Sequence, residues 1–362
     1  MAGEGDLPRF SALRIRDELR VSACDGDFLM TDVIMQEGAA AAPTNAWRAK
    51  ALASFKSGDT TFRLMAQLAA ATVLLVLGGI IVSLIIGAWP AISTYGVDFL
   101  TTQRWAPNAR PNPILGGLGP IYGTLVSSLI ALLIAVPVGL GIAIFLTELC
   151  PQGLRRPVGV AVELLAGIPS IIYGMWGFFV LGPMLADTIE PAIADAVENI
   201  PILNVIFAGP ASNLSLFNAS LVLAIMILPF VTAIARDVFN TVPPVLKEAA
   251  YGLGCTTWEV VRRVVIPYTR VGVIGGIMLA LGRALGETMA VTFVIGNSFR
   301  ISGSIFAPGT TISAAIASEF AESRDLHQSA LILLGLLLFV LTFFVLAAAR
   351  LMLMRLERKQ GV

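Results

Sequence analysis

The sequence predicts an all-α polytopic membrane protein with six transmembrane helices. Of its 362 residues, 56% are hydrophobic and only 13% are charged, against about 25% charged in soluble domains. Mean hydropathy is +0.83. Six apolar runs each reach the roughly 20 residues an α-helix needs to cross the hydrocarbon. Barrel strands would be about 10 residues long and alternating, and these runs are neither. The formal net charge of zero argues against a nucleic-acid-binding surface.

Residues 1–60 precede the first run and are expected to be a cytoplasmic extension, largely disordered. "LRIRDELRVSACDG" is charged and short, and "MQEGAAAAPTNAW" is low in complexity. The first apolar run starts too late for a secretory signal peptide. The expected spans are 64–86, 120–146, 157–181, 215–235, 271–296 and 328–350. Gly167 and Pro169 interrupt the third. Arg283 and Glu287 are the formal charges inside the fifth.

Lys and Arg in the connecting segments set the orientation. Eight lie in the first 63 residues: Arg9, Arg14, Arg16, Arg20, Arg48, Lys50, Lys56 and Arg63. Segment 147–156 has Arg155 and Arg156. Segment 236–270 has Arg236, Lys247, Arg262, Arg263 and Arg270. The tail has Arg350, Arg355, Arg358 and Lys359. Segment 182–214 has neither Lys nor Arg but carries Asp187, Glu190, Asp195 and Glu198. Rich and poor segments alternate, so both termini are expected in the cytoplasm. Cys24, Cys150 and Cys255 fall on or beside the expected cytoplasmic segments, without metal-ligand spacing.

Residues 243–268 are amphipathic. Pro243 and Pro244 open a helix, Gly252 and Gly254 interrupt it, and a second short helix is expected from about Thr257 to Val265, ended by Pro267. Glu248, Ala249 and Ala250, three residues, Gly254, nine residues, then Val264-x-Ile266-Pro267 resemble a signature of bacterial ABC importer permeases. That signature is E-A-A, three spacers, G, nine spacers, I-x-L-P. The resemblance implies a type I ABC importer permease domain over 61–355, with a short tail at 356–362. It also implies that 243–268 docks as a coupling helix on a separate ATPase, a helix-in-groove contact. Small Ala249 and Ala250 would permit close approach, and Glu248 could pair with a basic residue on the partner.

"ELLAGIPSIIYGMWG" (163–177) and "GRALGETMAVTFVIGN" (282–297) are similar to the permeases of phosphate-specific importers, of the PstC type more than the PstA type. The implied partners are two copies of a cytoplasmic ATP-binding subunit, a PstA-like second permease and a periplasmic phosphate-binding protein. The implied cargo is phosphate, the setting is the lipid of the inner membrane, and no cofactor is implied.

A guanidinium stays charged at any accessible pH, and a charge at membrane depth usually faces a cavity or a partner. The fork of Arg283 matches a tetrahedral oxyanion. Glu287, one helical turn on, would share its face and hold Arg283 until an anion competes. The same residues could instead be a structural pair. Glu163, Gly167 and Pro169 form a candidate gate: Pro169 removes a backbone hydrogen bond, and Glu163 could instead reach the interface or pair with Arg155 or Arg156. His327, the lone histidine, reads as a loop residue without a metal cluster. No G-x-x-x-x-G-K-[ST] occurs, so the chain does not itself cradle ATP phosphates. A secondary transporter or channel for an inorganic anion, a permease for another tetrahedral oxyanion, and a membrane-embedded enzyme are the competing readings. The first two lack a visible internal repeat or a distinguishing residue, and the third lacks a nucleophile, metal or acid–base cluster.

Overall fold

The computed structural model describes residues 46–358, except 110, 112, 208, 210 and 211. The chain divides into two units, Met1–Leu75 and Val76–Val362. Residues 1–45 of the expected extension lie outside the described residues. Helix α1 covers Ala46–Tyr95, so its first turns fall within the segment 1–60. Among the described residues, six helices are long and apolar enough to cross a membrane: Thr61–Tyr95, Leu118–Leu149, Ser170–Val197, Leu216–Phe239, Thr257–Leu285 and Asp325–Arg355.

After α1 come a single turn, α2 (Asp98–Thr101), and a short antiparallel hairpin, β1 (Trp105–Ala106) with β2 (Ile114–Leu115). Helix α3 (Leu118–Ile144) runs on through a π-helical turn, Phe145–Leu149. Next are α4 (Gln152–Ala166) and a crossing helix assembled from α5 (Ser170–Trp176), α6 (Gly182–Met184) and α7 (Glu190–Val197), joined by π-helical turns. Short α8 (Pro201–Phe207) leads to α9 (Leu216–Phe239). Helix α10 (Pro244–Gly252) precedes α11 (Thr257–Val260), which continues through a π-helical turn into α12 (Ile266–Leu285). Helices α13 (Met289–Val294), α14 (Ile312–Glu319) and α15 (Asp325–Arg358) complete the chain.

Helix α9 is the axis of the larger unit and the most buried of the crossing helices. Its N-cap is Ser215, whose Oγ accepts from the Asn218 N–H at 3.1 Å. One face packs on α3, where Ala131, Ala135 and Gly139 meet Val222, Leu223 and Val231 in one apolar cluster. Small residues bring the backbones together, which is how apolar helices associate without a hydrophobic driving force between them. A Cβ on Gly139 would sit 2.9 Å from Val231 Cγ1. Cβ atoms on Gly272 and Gly276 of α12 would sit 2.7 and 2.6 Å from Val238 and Ile234 on another face of α9. The loop 297–311 closes the N-terminal end of α9: Leu216 and Phe217 donate backbone N–H groups to Ala307 and Ile305.

Two expected spans are cut differently in the structure. The run 157–181 is not one helix. Helix α4 ends at Ala166, Gly167 is its C-cap, and Pro169 is the extended N-cap of α5. Pro169 lacks a donor and keeps the residue before it out of helical conformation, so it starts a new helix and does not kink an old one. The crossing helix is therefore Ser170–Val197, displaced toward the acidic segment. The run 271–296 also breaks, between Leu285 and Met289. Its helix begins earlier than expected, at Thr257. Pro267 does not end a separate short helix. It sits in the first turn of α12, where a missing N–H is harmless, and the π-helical turn Val261–Val265 carries the helix past it.

Candidate functional site: a broken helix and an outward-facing docking helix

Helix α12 stops two residues after Arg283, with Gly286 as its C-cap. Arg283 thus lies in the last turn, where a cation complements the partial negative charge of the free carbonyls. Glu287 lies beyond that end, so it does not share a helical face with Arg283. Its Oε1 accepts from the Ala290 N–H at 3.4 Å, at the first turn of α13. Among the described residues no ion pair joins Arg283 to any carboxylate. The expected Arg283–Glu287 clasp is therefore absent, because the chain leaves the helix between the two. Arg283 is exposed on the surface of the chain and Glu287 is half-buried.

The break is held from both sides. Gly174 of α5 lies against α13 so closely that a Cβ there would be 3.0 Å from Ala290 Cα. Thr288 Oγ1 donates to the Gly286 carbonyl at 3.3 Å, and Thr292 Oγ1 donates to the Thr288 carbonyl at 2.7 Å. The Thr288 hydroxyl thus takes up a backbone acceptor at the interruption, the Gly286 carbonyl. At membrane depth such irregular backbone persists only where protein or a watery cavity surrounds it.

Glu163, Gly167 and Pro169 sit at the α4–α5 junction. Glu163 Oε1 accepts from Arg236 Nη2 at 2.6 Å. Its partner is thus on α9, not Arg155 or Arg156. Arg155 instead donates Nη2 to the Thr147 carbonyl at 2.6 Å. Tyr173 Oη donates to the Leu165 carbonyl at 2.9 Å, tying α5 back onto the end of α4. The structure does not bring Glu163 near the Arg283 break as one cluster: it anchors α4 to the far end of α9.

In α10 the motif divides by face. Ala250 is buried with Ala143, Phe239 and Val260, while Glu248 and Ala249 are exposed. The expectation that both alanines face a partner is corrected: one of them faces the chain's own bundle, because successive residues on a helix lie about 100° apart. Gly254 has φ +85°, the left-handed conformation that ends a helix and favours glycine. Thr256 and Glu259 then form a capping box that opens α11. Ile266 and Pro267 are exposed on the first turn of α12.

The exposed surface around the motif contains more than the motif. Val245 on α10, Leu253 at its C-cap and Trp258 on α11 are 71%, 86% and 63% exposed, a large apolar display across the two short helices. Lys247 Nζ meets Glu148 Oε1 at 2.6 Å, with the carboxylate side chain only 6% exposed. This ion pair fastens α10 to the end of the α3 helix, and sequence spacing of 99 residues hid it. At the opposite end of the larger unit, Glu319 Oε2 accepts from Trp105 Nε1 at 2.8 Å and lies 2.9 Å from His327 Nε2. The lone histidine is thus part of a polar–aromatic clasp between hairpin, α14 and α15.

Residues 114–358 match the family described as binding-protein-dependent transport system inner membrane component. The chain belongs to that family. It is a transport subunit of the ABC importer class and not an enzyme, which sets aside the readings as a secondary transporter or channel and as a membrane-embedded enzyme. It is 61% identical over 308 residues to a protein named phosphate transport system permease protein PstC from Mesorhizobium japonicum, covering 85% of this chain and 93% of that one. A protein of the same name from Pasteurella multocida is 53% identical over 303 residues, covering 84% and 94%. The fold is shared with a chain of a bacterial ABC transporter involved in import of the acidic polysaccharide alginate. There the TM-score is 0.52 at 18% identity, with 83% of this chain and 98% of that one covered. The six crossing helices make this permease a multi-pass membrane protein.

Proposed function

We propose that this chain is the PstC-type membrane subunit of an ATP-driven phosphate importer. The observation that carries the reading is the 61% identity to a phosphate permease across nearly all of that relative's length. The exposed α10 with its apolar face supports the coupling role. ATP is hydrolysed on a separate subunit, present twice, and α10 fills a groove on one copy. A PstA-like permease completes the path, and a periplasmic phosphate-binding protein delivers the cargo. Both termini face the cytoplasm, as the Lys and Arg distribution implies.

Arg283 is the residue that meets the anion. It stands at the end of a half-helix, unpaired among the described residues. Discontinuous helices are where transporters commonly build substrate sites. Its fork supplies paired charge-assisted hydrogen bonds to a tetrahedral oxyanion. Glu287 accepts from the first turn of α13 across the break and leaves the Arg283 fork free for the anion. Glu163, Gly167 and Pro169 act as a hinge, with Pro169 separating α4 from the crossing helix and the Glu163–Arg236 pair as its latch.

The test is uptake of radiolabelled phosphate by cells lacking the chain and by cells in which it is restored. Restoration should return uptake, and excess unlabelled phosphate should suppress it far more than sulfate does. Uptake that is indifferent to the chain's presence would reject the reading.

A further inference from the structure

A second cationic place lies apart from the Arg283 break, at the end of the bundle that carries α10. An open cavity of about 330 Å³ lies between α4 and the last turn of α9, lined by Gln152, Arg155, Arg156, Val160, Glu163 and Arg236. Arg236 already spends one Nη on Glu163 and shares Asp237 through its Nε at 3.3 Å. Arg155 is held over the cavity by the Thr147 carbonyl. Arg156 has no ion pair or hydrogen-bond partner among the described residues and is exposed. Three arginines against two carboxylates leave one positive charge uncompensated. Glu163 occupies Arg236 in the way that an incoming oxyanion would.

The wall of the cavity is an amphipathic helix. Val160, which lines the cavity, and Leu164, one turn further along α4, are exposed and apolar, so the polar lining is bordered on this helix by apolar surface. At about 330 Å³ the cavity is far larger than a single-water site, which leaves room for a phosphate group together with its substituents. Basic pockets between membrane helices hold phosphate head groups by this chemistry.

We infer that the α4–α9 cavity is a binding site for a phosphate-bearing anion, with Arg156 and Arg155 as its primary cations and Glu163 as a built-in competitor. The anion comes from one of two sources, the head group of an anionic phospholipid or free inorganic phosphate. The site shares the Glu163–Arg236 pair with the proposed hinge, but its primary cations, Arg155 and Arg156, belong to neither that hinge nor the Arg283 break, so binding is read directly and not through uptake.

Two binding measurements on the purified transporter distinguish the sources. Native mass spectrometry reads retention of phosphatidylglycerol titrated into a phosphatidylcholine background. Equilibrium dialysis reads radiolabelled inorganic phosphate. Arg156→Gln should weaken the true ligand about fivefold, in line with the contribution of one arginine near an anionic surface. Glu163→Gln should strengthen it, because the competing carboxylate is neutralised and Arg236 keeps only Asp237 as an ion-pair partner. Opposite signs in the two variants are not expected of a merely structural pair. Changes confined to phosphatidylglycerol assign the site to lipid, and changes confined to inorganic phosphate assign it to the free anion. Arg156 is exposed and unpaired, so its variant should fold, and thermal unfolding checks this. Wild-type affinity for both ligands in a folded Arg156→Gln protein would overturn the inference.

Discussion

At the scale of single residues, Arg283 and Lys247 are two cations with opposite circumstances. Arg283 has no carboxylate partner among the described residues, so removing its charge strands nothing. Arg283→Gln should therefore reach the membrane and join its ATPase at normal levels, with stability changed by less than about 0.5 kcal/mol, as at most exposed positions. Phosphate uptake should nevertheless fall at least about tenfold, the loss of a charge-assisted hydrogen bond. Arg283→Lys should transport at an intermediate rate, because it keeps charge and loses the planar fork. Uptake of labelled phosphate at wild-type rate in Arg283→Gln would reduce Arg283 to architecture. Lys247 differs, since its partner Glu148 is almost fully buried. Lys247→Met should cost about 3 kcal/mol by leaving that carboxylate alone. The exchange Lys247→Glu with Glu148→Lys should recover part of it in thermal unfolding. If the exchanged pair is no more stable than Lys247→Met, the contact contributes through packing and not through charge.

At the scale of elements, α10 separates shape from recognition. Gly254 ends the helix at φ +85°, and a Cβ there would meet nothing within 4 Å. Gly254→Ala should therefore lose only the left-handed penalty, about 1 kcal/mol, and still capture the ATPase in a pull-down. Leu253→Asp and Trp258→Asp alter exposed apolar side chains, so they should leave unfolding temperature unchanged and abolish capture. Capture that survives both aspartates would place the docking surface elsewhere than α10 and α11. The breaks at Gly167–Pro169 and at Gly286–Thr288 belong to the same scale. Each ends one helix and starts another. Each also lies where α5 packs on α13 or α4 meets α5, so a change at one junction can reach the other through a single helix.

At the scale of the molecule, the proposed function makes one permease chain half of a path. Arg283 is exposed on the isolated chain, and a charge at membrane depth needs a cavity or a partner to face. The proposed second permease would supply that face. Two copies of this chain would set two unpaired guanidinium groups against one another across the axis, a like-charge arrangement that a distinct PstA-like partner avoids. Mass spectrometry of the purified complex should show two different permease chains in equal amounts. A complex containing only this chain, at two copies, would contradict the pairing. Orientation is checked separately. Reporter fusions at Ala194 and Ser304 should read periplasmic and one at Thr256 cytoplasmic; a cytoplasmic signal at Ala194 would invert the topology.

The number of crossing helices and the helix stop inside the E-A-A motif were legible in the sequence because both are local. An apolar run of about 20 residues has few alternatives in lipid, and E-A-A with its glycine is a contiguous pattern whose Gly254 the backbone uses as a helix stop. Residue order located the first break, at Gly167 and Pro169, but neither its nature nor the second break. The apolar content of 157–181 and 271–296 continues across them, and hydropathy is blind to hydrogen-bond direction. Pro169 announced the first, but a proline can kink a helix or start one, and only the chain's path decided that it starts α5. Nothing apolar or polar announced the second, so Glu287 looked one turn from Arg283 and instead lies past the helix end. Pairings at long separation were equally invisible: Glu163 with Arg236 and Glu148 with Lys247 are 73 and 99 residues apart. Which cation meets which carboxylate depends on how α3, α4, α9 and α10 pack, because ion pairs select by distance in space, and composition carries no information about that distance.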